Sequence, residues 1–148
     1  MTSKPLISTA VLALGALVWA CAPDAPASDG SGEAMSSTFN VSLATTNESG
    51  VQGLTTVSLG DETTFKLELM GLTSEETYTA ALHAGTCDSP GERLAELNQA
   101  TSGAVGIGSS VTGVESDVLE GPDALNIQAH LPDGTMAACG DVPMERLP

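Results

Sequence analysis

Two stretches of this 148-residue chain hold the side chains with the most chemistry. Each alternates like a strand, carries one histidine and then reaches one cysteine: His83 before Cys87, and His130 before Cys139. Imidazole nitrogens suit copper and zinc, while thiols either oxidise to a disulfide or bind such metals as thiolates. The chain has only two histidines. A mononuclear metal held by His83 and His130 therefore needs further donors, and Asp88, Asp133 or water are the candidates. Without them the pair reads as two surface imidazoles. No Ser/His/Asp order, phosphate-binding loop or histidine pair at helical spacing points to catalysis, and Glu75 and Glu76 read as solvated turn residues.

The elements that must position these residues are short strands. Residues 38–45 alternate, with Phe39, Val41 and Leu43 on one face and Asn40 and Ser42 on the other, the period of a half-buried strand. The break at 47–50 is followed by a second alternating run at 51–59. Gly60-Asp61 turns the chain, and 63–70 places Phe65, Leu67 and Leu69 inward with Lys66 and Glu68 outward. In the first histidine strand Tyr78, Ala80 and Leu82 oppose Thr79, Ala81 and His83. In the second, Leu125, Ile127, Ala129 and Leu131 oppose Asn126, Gln128 and His130. Both histidines are thus expected on the outer face. Residues 91–97 read as a helical turn, 101–110 as a Gly/Ser-rich stretch of little pattern, and 111–119 as a strand. Pro132-Asp133-Gly134 makes a tight turn, and 135–142 closes the domain. Short strands at this spacing predict an all-β, antiparallel, immunoglobulin-like sandwich or barrel.

The N-terminal segment addresses location rather than fold. Residues 1–21 begin with Lys4, run through an apolar stretch at 6–20 and stop at Ala20-Cys21, the layout of an export signal. The apolar run falls short of the roughly 20 residues that span a bilayer. Val18-Trp19-Ala20-Cys21 resembles the lipobox of bacterial lipoproteins, with Val18 and Ala20 fitting and Trp19 departing from the pattern. That resemblance implies lipidation of Cys21 as the first mature residue. Plain cleavage, leaving a free thiol, is the alternative. One acyl chain anchors only marginally; lipoprotein processing supplies the further chains that firm anchoring needs. Residues 22–37 are Pro, Ala, Ser, Asp and Gly with few apolar side chains, and they read as a flexible tether spanning about 20 to 25 Å. Residues 38–148 then form one domain of ordinary size.

With Lys4 removed, only Lys66, Arg93 and Arg146 stand against nineteen acidic residues. Nucleic acid and anionic lipid headgroups are disfavoured as partners, because binding them depends on basic clusters. Trp19 leaves with the signal, so the core must come from Val, Leu, Ile and Ala around Phe39, Phe65 and Tyr78.

The motifs His83-Ala84-Gly85-Thr86-Cys87 with Pro90-Gly91, Asn126-Ile127-Gln128-Ala129-His130 and Ala138-Cys139-Gly140-Asp141-Val142-Pro143 resemble the superoxide-dismutase-like sandwich, including its short chordin-type (CHRD) relatives. The resemblance covers residues 38–143. It implies an eight-stranded Greek-key barrel and a disulfide from the loop after one histidine strand to the final strand, here Cys87 to Cys139. Two free thiols or a thiolate metal site are the alternatives. The family's catalytic set is missing from the sequence: Ala81-Leu82-His83 stands where two histidines flank one residue, and only three residues separate His83 from Cys87. Met136 stands where the enzymes place an arginine. The expectation is therefore a lipid-anchored envelope protein of bacterial type with a non-catalytic binding or structural module and no dismutase activity. The alternative is a mononuclear copper or zinc protein using His83 and His130, with copper bound weakly if at all.

Overall fold

The structure is a computed structural model that describes residues 37–147. The expected export signal, Cys21 and the expected tether up to residue 36 lie outside the described residues.

Eight antiparallel strands close into one barrel: β1 (Thr38–Thr45), β2 (Gln52–Ser58), β3 (Glu62–Met70), β4 (Thr77–Gly85), β5 (Pro90–Ser102), β6 (Ile107–Glu115), β7 (Leu125–His130) and β8 (Met136–Asp141). Around the barrel they run β1-β2-β3-β6-β5-β4-β7-β8. The two crossovers, β3 beside β6 and β4 beside β7, make the Greek-key pattern. Alternation places Val41, Leu43, Val57, Phe65, Leu67, Leu69, Tyr78, Leu82 and Ile127 in a single apolar core. Phe39 packs at its margin. Outward on β3, Lys66 and Glu68 pair at 3.3 Å.

Three expectations need correction. Residues 91–97 are strand, not a helical turn, because β5 pairs along β4 (Ala80 with Leu97, Ala81 with Glu96, His83 with Arg93). Bulges in that ladder break the alternation of β5, so Leu94 and Leu97 fall at a helix-like spacing although both lean on the core. The strand expected at 111–119 begins earlier and ends earlier: β6 spans Ile107–Glu115, and Ser116–Leu119 is a short 3-10 turn that buries Leu119. The uninformative stretch 101–110 in fact holds the β5–β6 turn, and Ile107 pairs with Met70 of β3. Gly/Ser composition hid a strand that tertiary pairing supplies.

Strand β4 positions the histidines. It lies between β5 and β7, so its outward residues Thr79, Ala81 and His83 form the middle row of a three-strand face. Gly85, with φ of 84°, ends the strand in a conformation that a side chain resists, and a Cβ there would collide with the Ser89 carbonyl. The chain turns back within residues 86–89.

Candidate functional site

Cys87, in that short turn, is bonded to Cys139 of β8 with an S–S distance of 2.08 Å and a Cα–Cα distance of 5.9 Å. Since β7 lies between β4 and β8, the bond carries the turn over the outer face of β7. Asp141 reinforces it by accepting a 2.7 Å hydrogen bond from the Cys87 amide. Beneath, Asn126 and Gln128 face outward as alternation predicts, yet both are buried. The Asn126 amide donates to the carbonyls of Ala84 and Gly85 at 3.3 and 3.0 Å, and Gln128 donates to the Asn126 side-chain oxygen at 2.9 Å. Polar residues on a covered outer face are tolerated because each finds a partner. Nothing in the alternation signals that cover.

His83 and His130 come together on the uncovered part of the same face. Register sets Thr79 opposite His130 and His83 opposite Asn126, so the histidines lie on one face two same-face rungs apart, with the Ala81–Gln128 pair between them. Their ring centres lie 6.3 Å apart and their planes are inclined by 47°. Ala81 is 3 % exposed but outside the core cluster, so its burial lies on the outer face, where its small side chain leaves room for the rings to lean inward.

His83 Nδ1 lies 3.3 Å from the Gly91 carbonyl oxygen, which can only accept, so Nδ1 is the donor of this hydrogen bond. Its Nε2 is shut from solvent and has no hydrogen-bond partner. The half-buried His130 has its pKa held below the ordinary histidine value, first by burial and then by the nearby positive charges of His83 and Arg93. Arg93 stands opposite His83 in the β4–β5 ladder. Together with Thr79, Glu96 and Gly134 these residues line a cavity of about 440 Å³. Sequence reasoning misses Arg93 and Glu96, because the pattern over 91–97 predicts a helical turn, in which neither residue aligns with His83.

The acids named as possible extra ligands sit elsewhere. Asp133, in the β7–β8 turn, accepts a 2.8 Å hydrogen bond from the Thr135 amide, which lowers its pKa and ties its carboxylate to the turn. It borders a second cavity of about 370 Å³ that does not include the histidines. Asp88 is exposed in the β4–β5 turn. Among the described residues no group of three His, Cys, Asp or Glu side chains gathers at metal-binding spacing. The residues present do not fit a dinuclear copper/zinc centre, nor a closed mononuclear one. Glu75 and Glu76 lie exposed between β3 and β4, and Glu76 accepts a hydrogen bond from the Tyr78 hydroxyl at 3.3 Å.

No protein-family model matches the chain, and no curated protein matches it.

Proposed function

We propose that this chain is an exported, lipid-anchored envelope protein whose barrel is a non-catalytic binding module related to the superoxide-dismutase-like and CHRD-type domains. The observation that carries this reading is the Cys87–Cys139 bond across β7. It is the pairing that the resemblance implies, and such bonds persist in oxidising compartments outside the cytosol. Export in turn gives the lipobox-like Val18-Trp19-Ala20-Cys21 its context. The Greek-key barrel and the paired strands β5, β4 and β7 that carry the recess support a binding role, since sites built on strands are held more firmly than sites on loops. The deciding experiment is fractionation of cells expressing the wild type and Cys21→Ser. The wild type should partition with membranes and take up labelled fatty acid, and the variant should do neither. A variant that stays on the membrane sinks the reading.

One observation favours a second reading, a mononuclear copper or zinc ion between His83 and His130. Metal-bound histidines commonly hold a carbonyl through one ring nitrogen and the metal through the other, and His83 has its Nδ1 at Gly91 with Nε2 unpartnered. Against this stand the shortage of donors and Arg93, whose charge opposes a dication as it opposes a proton on His130. Equilibrium dialysis against Cu(II) and Zn(II) tests it: retention of one equivalent through extensive washing would favour the metal over the first reading.

A further inference from the structure

Five side chains of the described domain can carry positive charge: Lys66, Arg93, Arg146, His83 and His130. Three of them, Arg93, His83 and His130, line the one 440 Å³ cavity. In a chain with nineteen acids, that clustering gathers three of the domain's five basic side chains in one recess beside a single acid, Glu96. Counter-charge is abundant, yet the one ion pair among the described residues is Lys66 with Glu68. Glu96 shares the cavity with Arg93 but stays outside ion-pair distance.

We infer that this recess is a carboxylate-binding site in which the Arg93 guanidinium takes the carboxylate and His130 flanks it from β7. The inference rests on reading the barrel as a binding module and names the class of its ligand. A guanidinium presents paired donors that match the two oxygens of a carboxylate. The site is suited to one negative charge rather than two, because Arg93 is its one permanent positive charge and Glu96 repels any excess. Its volume admits a small organic acid but no folded partner. Arg93 and His130 are close enough for the former to depress the latter's pKa, after burial and His83. The fold supplies the convergence: β4 brings His83 opposite Arg93 on one side and carries Thr79 opposite His130 on the other.

The test is a titration of the full chain, stripped of metal on a chelating resin, with benzoate, its uncharged analogue benzamide and inorganic phosphate at constant ionic strength. Side-chain NMR signals of Arg93, His83 and His130 are the readout. Benzoate should shift them saturably, benzamide should not, and phosphate should bind more weakly. Arg93→Gln should weaken benzoate by about tenfold, the scale of one charged hydrogen-bonded contact. Glu96→Gln, which removes the competing charge, should tighten it by about two- to fivefold. Equal shifts from benzamide, tighter binding of phosphate, indifference to Arg93→Gln, or no saturable shift would each overturn the assignment. A flat titration leaves the Cys21→Ser fractionation untouched, and membrane retention of Cys21→Ser leaves the titration untouched, so the two failures are separable.

Discussion

Arg93 and His83 face each other across the β4–β5 ladder, and that pairing brings the chain's sparse positive charge to the face where His83 and His130 meet. A one-residue slip of β5 would send Arg93 to the other face. The bulges flanking this pair set the β4–β5 register, and β7 brings His130, so the recess is a property of three strands rather than of any local motif.

The disulfide closes a loop 52 residues apart in sequence and covers the Asn126 and Gln128 network. Chain entropy for a loop of that length corresponds to about 4 kcal/mol. Cys87→Ser with Cys139→Ser should therefore cost about 2 to 5 kcal/mol in urea unfolding. It should also speed amide exchange around Asn126. A double variant as stable as the wild type would show that the bond contributes nothing to the barrel.

His130 should make stability pH-dependent in a narrow window. Its folded pKa is lowered, so below the unfolded value of about 6.5 the unfolded chain binds a proton that the folded chain resists. Stability contributed by neutral His130 is present above that value, falls as pH drops through it, and levels once the folded imidazole protonates. The urea midpoint should fall between pH 7.5 and 5.5 in the wild type and fall less in His130→Gln. An NMR titration placing His130 at or above 6.5 would contradict the burial and charge argument, and Arg93→Gln should move it upward.

Cu(II) should bind weakly, because two imidazoles with no third donor among the described residues leave the coordination shell to water. Isothermal titration should lose the signal in His83→Ala and His130→Ala alike. Superoxide turnover should not exceed that of free copper. Binding unchanged by loss of both histidines would reassign the metal to the acidic surface.

Cys21→Ser should leave the barrel's unfolding midpoint unaltered while releasing the protein from membranes, because residues 22–37 bring almost no apolar side chains that a core could use. A shift in the midpoint would mean that the tether packs on the domain.

Alternation alone carried the all-β class, the inward faces of β1, β3, β4 and β7 and the outward placement of both histidines, because a two-residue period decides which side of a sheet a side chain takes. The Cys87–Cys139 pairing was legible only through family-like motifs around the two cysteines, since sequence separation says nothing about proximity in space. Strand β5 was not legible, because bulges scramble its period and only the ladder with β4 makes it extended. Burial of Asn126 and Gln128 was likewise hidden: their polarity marks an outer face, but the turn that covers them is held there by a bond to a strand two places away. The meeting of His83, His130 and Arg93 belongs wholly to the tertiary structure. It depends on β5, β4 and β7 lying side by side in the barrel although β7 is remote from the other two in the chain, and on a small residue, Ala81, at the position where two imidazoles need space.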